Sequence, residues 1–272
     1  MIEPDYMKQN GLDNVSLTKY LNIDIIKKLY TSIHSDIKYG TTHDYASGSR
    51  CIRYVSSIKT ALSRKINSFK SKKYFLSNLD IDICQQTDSY YVYPMHYHPE
   101  SSTSVLAPEY TDEFHNILNI SNNLPFGTYL YVKDHKSALG IHNIEFYEKV
   151  SMLPAVKLIN CNYNIKKLLQ SSKGLITVNS TAGYEALLLH KPVYLLGKVF
   201  YQNFSNVTKL ENFHSLKDIL KQQTHKPLDP MDFISYKRIT YDGILNFNLK
   251  DYESNIHFYN QLAINIQYKY DS

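Results

Sequence analysis

The sequence predicts an α/β protein: a parallel sheet flanked by helices, preceded by a short, mainly helical region. Three observations predict it. After residue 88, short β-rich runs alternate with helical ones, as βαβ units require. The last two β-rich runs, Gly174–Val178 and Pro192–Gly197, are almost continuously apolar, as strands covered on both faces must be. Before residue 88 the apolar positions fall at helical spacing, and no strand pattern stands out.

The elements follow in order. Leu17, Leu21, Ile25, Leu29 and Ile33 are four apart and predict a helix from Leu17 to Ile37. A polar stretch, Gly40–Ser49, separates it from a second helix over Tyr54–Phe69, whose packing stripe is Ile58, Leu62, Ile66 and Phe69. Tyr90–Pro94 reads as the first strand. Asp112–Leu124 is a helix burying Phe114, Ile117, Leu118 and Leu124. Thr128–Lys133 is a strand, Glu145–Met152 a helix, Val156–Ile159 a strand and Ile165–Gln170 a helix. The strand Gly174–Val178 leads into a helix over Ala182–Leu189, and Pro192–Gly197 closes the series. Residues 214–222 and 251–269 read as further helices, the last with a stripe of Ile256, Tyr259, Leu262, Ala263 and Ile266.

Composition excludes several classes. The 272 residues are 43% hydrophobic and 20% charged, with only nine Gly and nine Pro, which excludes a disordered chain, a collagen-like repeat and a simple coiled coil. No run of about 18 apolar residues marks a membrane span. Residues 1–19 are polar and lack the apolar centre of a secretion signal, so the expected location is cytoplasmic. Three widely spaced cysteines, Cys51, Cys84 and Cys161, predict neither a disulfide framework nor a thiolate zinc site. The net charge of +5 is too small for a dedicated nucleic-acid binder, and no nucleic-acid partner is expected. The basic excess is concentrated: Arg50, Arg53, Lys59, Arg64, Lys65, Lys70, Lys72 and Lys73 stand in one stretch without an acid. That is either a solvated helix face or a surface for an anionic membrane or glycan, at the inner face of the cytoplasmic membrane.

In an open parallel sheet ligands bind beyond the carboxyl ends of the strands, so the loops there are where chemistry is sought. Three stand out. Val178-Asn179-Ser180-Thr181-Ala182-Gly183-Tyr184-Glu185 joins a strand to a helix; Ser180 and Thr181 offer hydroxyls, and Gly183 would let a phosphate approach the backbone. Glu185 would accept hydrogen bonds from ribose hydroxyls; the plainer alternative for the turn is ordinary helix capping. Val132-Lys133-Asp134-His135-Lys136 gathers cations that neutralise a phosphate, or a solvated charged loop. The stretch from Tyr93 to Thr103 carries His96, His98 and Glu100 beside three hydroxyls, a set suited to sugar or phosphate recognition. His96-x-His98 has no third ligand at a metal-site spacing, so no metal is expected.

These pieces come in a fixed order: Tyr93-Pro94-Met95-His96-Tyr97-His98-Pro99-Glu100, then Leu130–His135, then Thr177–Ala186, then Lys191–Gly197 with Phe200-Tyr201. Over residues 88–205 this resembles the bacterial capsule polysaccharide biosynthesis family, which includes the Kdo transferases of capsule assembly. The chain departs from the family pattern at His98, where Gln is usual, and at Asp134 and Lys136, where Glu and Pro are usual. The resemblance implies a GT-B glycosyltransferase whose Rossmann-like C-terminal half holds a nucleotide-sugar donor. It implies that His135 and Ser180–Thr181 grip the donor phosphate, with His96, His98, Glu100, Lys133, Gly183 and Glu185 around them. His135 would stabilise the leaving phosphate. CMP-Kdo is the first donor expected, a glycan or lipid-linked glycan the acceptor, and no further cofactor is implied. Residues 1–88 would be a helical region or remnant of the acceptor domain, and 89–272 the donor-binding domain with C-terminal helices. Two other readings stay open: a donor-binding subunit that needs a partner chain, and a nucleotide-sugar epimerase.

Overall fold

The computed structural model describes residues 50–78, 88–97, 101–135, 138–222 and 227–238, together with helical residues 27, 30, 31, 34, 260 and 264. The predicted helices over Leu17–Ile37 and 251–269 therefore lie largely outside the described residues, as do His98, Glu100, Lys136 and Cys84.

The elements are α1 (Arg50–Asn78), β1 (Ser89–Pro94), α2 (Ser101–Leu106), a 3-10 turn (Pro108–Tyr110), α3 (Glu113–Asn122), β2 (Thr128–Lys133), α4 (Ile144–Ser151), β3 (Val156–Ile159), α5 (Ile165–Gln170), β4 (Leu175–Thr177), α6 (Ala182–Leu188), β5 (Val193–Leu195), β6 (Val207–Lys209), α7 (Phe213–Gln222) and α8 (Pro230–Arg238). Five strands fall where the alternation places them. The six strands form one parallel sheet in the order β3-β2-β1-β4-β5-β6. That is the doubly wound Rossmann order, with its reversal between β1 and β4.

Period-two alternation divides the core. Tyr91 and Tyr93 of β1 join Leu130, Val132, Ile117, Tyr147 and Leu216 on one face of the sheet. Tyr90 and Val92 join Tyr131, Leu168, Leu187 and Tyr201 on the other. The tyrosines are used as core residues with a polar tip. Tyr90 and Tyr131 stack at 3.9 Å between ring centres. Their hydroxyls donate to the Leu168 carbonyl at 2.7 Å and to Asp88 Oδ2 at 2.7 Å. Helix starts are capped by side chains: Asp112 accepts from the His115 N–H and Asn143 from the Phe146 N–H.

Helix α1 corrects the expected stripe. Leu62, Ile66 and Phe69 are 42%, 56% and 73% exposed, while Ala61, Ser71 and Phe75 are buried. The helix meets the domain through small residues because backbones come close. A Cβ built at Gly140, where φ is +89°, would lie 2.3 Å from the Arg64 carbonyl oxygen. Phe75 then anchors the end of α1 edge-on against Tyr147, at 5.1 Å. Helical periodicity reveals an amphipathic helix but not which side finds the domain. β6, α2 and α8 are elements the sequence pattern did not reveal. β6 is a partly exposed edge with no buried residue, and α2 is built from Ser and Thr, weak helix formers. Among the described residues, no helix is long and apolar enough to cross a membrane.

Candidate functional site

The helices that follow β1 and β4 pack on opposite faces of the sheet, and at such a reversal doubly wound folds bind ligands, in the crevice outside the carboxyl ends of the strands. The β1–β2 register pairs Pro94 with Lys133, so the loops carrying His96 and His135 leave the sheet side by side.

His96 is 4% exposed and fully engaged. Its backbone N–H donates to Glu113 Oε1 at 2.9 Å, and its Nδ1 lies 3.0 Å from the same oxygen. Its Nε2 accepts from the Asn179 N–H at 3.3 Å. A carboxylate on Nδ1 and an N–H on Nε2 together specify the neutral Nδ1–H tautomer. The other oxygen of Glu113 accepts from the Tyr93 hydroxyl at 2.8 Å. Burial, then the Glu113 charge, raises the Tyr93 phenol well above its ordinary range, so it remains a donor. His96 therefore does not face a ligand. It ties β1 to the Asn179 turn, and Glu113, which sequence reasoning missed, holds it there.

The turn after β4 is built tightly. The Ser180 N–H donates to Thr177 Oγ1 at 3.1 Å, and Ser180 Oγ accepts from the Ala182 N–H at 3.2 Å. Ser180 thus supplies the capping bond, while Thr181 is exposed and caps nothing with its side chain. Thr103 of α2 donates to Asn179 Oδ1 at 3.2 Å, and the buried Asn179 Nδ2 has no partner. Gly183 has a different purpose from the one expected. Tyr201 fills the space beside it, and a Cβ at 183 would fall 2.0 Å from the Tyr201 hydroxyl oxygen. That hydroxyl donates to the Ser180 carbonyl. Glu185 lies in the first turn of α6 with its Oε2 buried and unpartnered.

The β2 loop is anchored by Asp134, which is 0% exposed. Its Oδ1 accepts from the His135 N–H at 2.7 Å and its Oδ2 from the Tyr147 hydroxyl at 2.5 Å. Burial pushes the Asp134 carboxyl up to about 6, against the opposing pull of those two hydrogen bonds. Lys133 does not point at the crevice as expected. Its Nζ donates to the Cys161 carbonyl at 2.8 Å and the Asp134 carbonyl at 3.3 Å, strapping β2 to the loop after β3. The half-buried His135 ring meets Tyr97 edge-on at 6.3 Å, and the Arg64 guanidinium lies 5.8 Å from the Tyr97 ring centre. Among the described residues, no three His, Cys, Asp or Glu side chains are grouped as metal ligands.

Order and site together define a doubly wound α/β domain with polar loops gathered at its switch point. The chain belongs to the capsule polysaccharide biosynthesis family: the model described as "Capsule polysaccharide biosynthesis protein" matches residues 16–231. The match takes in α1 as well as the stretch that carries the motifs. Among solved structures, 57% of the chain is similar to KpsC, the beta Kdo 2,7 transferase of Thermosulfurimonas dismutans, at 14% identity and a TM-score of 0.40, over 56% of that chain. It is also similar to MnaA of S. aureus in a co-structure with UDP, at 15% identity and a TM-score of 0.37, with 57% of this chain and 42% of that one covered. The chain thus spans roughly half the length of these structures. No curated protein matches it.

Proposed function

We propose that this protein is a glycosyltransferase of capsule polysaccharide assembly, which binds a nucleotide-sugar donor in the switch-point crevice and transfers its sugar to a glycan or lipid-linked glycan. The observation that carries the reading is the family membership, together with a sheet order that sets the His135 loop beside the His96 loop, whose ring in turn accepts from the Asn179 N–H of the Ser180–Thr181 turn. Thr181 and the His135 ring are the polar groups assigned to the donor phosphate. His135 stabilises the charge that develops on the departing phosphate. In this reading 89–272 is the donor-binding domain and 1–88 a helical region or remnant of the acceptor domain. CMP-Kdo is the first donor to try.

Peripheral membrane contact is part of the reading. Helix α1 combines exposed Val55, Leu62, Ile66 and Phe69 with eight basic residues and no acid between Arg50 and Lys73. An apolar stripe beside lysines and arginines suits an anionic lipid surface. A second reading, a donor-binding subunit completed by a partner chain, is favoured by one observation. Among the described residues, the fully buried carboxylates Glu113 and Asp134 are both occupied in holding loops, which leaves Glu185 as the carboxylate with an unpartnered oxygen.

Calorimetric titration with CMP, UDP and GDP, beside His135→Ala and Thr181→Ala variants, tests the donor site. One nucleotide should bind, and loss of a phosphate contact should weaken it about tenfold, or 1.4 kcal/mol. No binding by the folded protein overturns the reading. Turnover of CMP-Kdo without an acceptor would instead favour an epimerase-type reaction. Co-sedimentation with phosphatidylglycerol vesicles, set against phosphatidylcholine alone, tests the membrane contact.

A further inference from the structure

We infer that Arg64, carried in by helix α1, is the cation that meets the ligand's phosphate at the His135 end of the crevice. The inference rests on the donor-binding reading above and moves a role from the loop lysine to a residue outside the sheet domain. Lys133 sits beside His135 in sequence, but its ammonium is spent on the carbonyls of Cys161 and Asp134. A phosphate placed against the His135 ring therefore needs another positive group. Arg64 Nη1 donates to Tyr97 Oη at 3.4 Å, a long bond, and the guanidinium lies 5.8 Å from the Tyr97 ring centre. The same ring meets His135 edge-on at 6.3 Å. Guanidinium, phenol and imidazole thus form a row along the carboxyl ends of β1 and β2.

The placement is built rather than incidental. Gly140 lets the α1 backbone close onto the β2–α4 loop at Arg64 itself, with the Arg64 carbonyl and Ser68 occupying the space a Cβ would take. Ala61, one turn before, is buried against the domain, while the neighbouring Lys65 is exposed. Arg64, half-buried, is thereby set apart from Lys59, Lys65, Lys70, Lys72 and Lys73 of the same helix, which are exposed. A guanidinium is charged at every working pH, offers five donors in a planar fork that matches phosphate, and is pre-organised when held against an aromatic ring.

The test compares a nucleotide with its own nucleoside. Affinities for the tightest of CMP, UDP and GDP, and for the corresponding nucleoside, are measured by calorimetry in wild type, Arg64→Gln, Arg64→Lys and Lys65→Gln, each with its melting temperature. Wild type should prefer the nucleotide. Arg64→Gln should lose tenfold or more of that preference while the nucleoside affinity and melting temperature hold. Arg64→Lys should fall between, and Lys65→Gln should match wild type. Parallel weakening of nucleotide and nucleoside overturns the inference, because it marks a structural strut, and so does an unchanged preference. Should Arg64→Gln fail to fold, Arg64→Lys carries the same comparison, and a wild-type preference there overturns the inference. If wild type binds none of the three nucleotides, the donor-binding reading itself falls, and this inference with it.

Discussion

Two histidines leave adjacent strands at the same level and look alike in sequence, yet they occupy opposite roles. His96 after β1 is buried, with its backbone N–H and both ring nitrogens committed to Glu113 and Asn179. His135 after β2 has its backbone held by Asp134, while its ring is half-buried against Tyr97. One loop spends its imidazole on holding the site; the other is held by a carboxylate instead. A histidine's neighbours, and not its place in a motif, decide whether it can reach a ligand.

The largest expected effect breaks the first loop. Glu113→Ala strips three donors, from Tyr93 and His96, of their shared acceptor inside the core. Removing one member of such a buried group costs about 3–5 kcal/mol. Urea unfolding should register that loss. Glu113→Gln, which keeps one acceptor oxygen, should lose less. Equal stability of Glu113→Ala and wild type would mean that His96 does not depend on this carboxylate.

A smaller effect separates the loops through their glycines. Gly140→Ala meets both a positive φ and the Arg64 carbonyl, so it should cost roughly 1–3 kcal/mol and push α1 away from the His135 loop. Gly183→Ala meets the buried Tyr201 ring and should cost a similar amount, but at the Ser180 turn. Thermal unfolding gives the cost. The distinction comes from the His135 and His96 ring signals in NMR: Gly140→Ala should shift the first and spare the second. Equal shifts of both would mean that the two loops move as one body.

Much of this fold is legible in the sequence because its signals are strong and local. β1 to β5 and helices α3 to α7 each carry a periodic apolar pattern, and the alternation fixes the parallel class. β6 is not legible, since an edge strand with Thr208 and Lys209 half or fully exposed needs no apolar pattern. At the site, the loops were legible and the roles within them were not. Gly183 reads as room for a phosphate until Tyr201, 18 positions later in the sequence, proves to fill that room. Lys133 reads as a phosphate ligand until the Cys161 carbonyl claims it. Glu113 gives no signal at all, because it sits in the first turn of a helix, where an acid is ordinary. Each of these partners is remote in sequence, and only the sheet topology brings them together.

The acid range should expose the second loop. The Asp134 carboxyl is raised in the folded protein from 3.8 to about 6, chiefly by burial. Between those values the folded state holds more protons than the unfolded one. The contribution of Asp134 is therefore fully present below about pH 4 and lost as pH rises through 6, by at most about 3 kcal/mol. Subtracting the stability profile of Asp134→Asn from that of wild type should leave a downward slope between pH 4 and 6. A flat difference would mean that the carboxyl is not titrating in its buried place.

The smallest expected effect tests the outer face of α1 against its inner one. Phe75 is 2% exposed and packs on Tyr147, so Phe75→Ala should cost about 3–5 kcal/mol. Phe69, six residues earlier on the same helix and 73% exposed, has no such packing to lose. Phe69→Ser should therefore change stability by less than about 0.5 kcal/mol. It should nonetheless weaken retention on phosphatidylglycerol vesicles, because removing an exposed aromatic takes apolar area from a membrane contact without touching the core. A large stability loss from Phe69→Ser would show that this stripe is covered by the protein itself, and the membrane reading of α1 would then fail for want of a free surface.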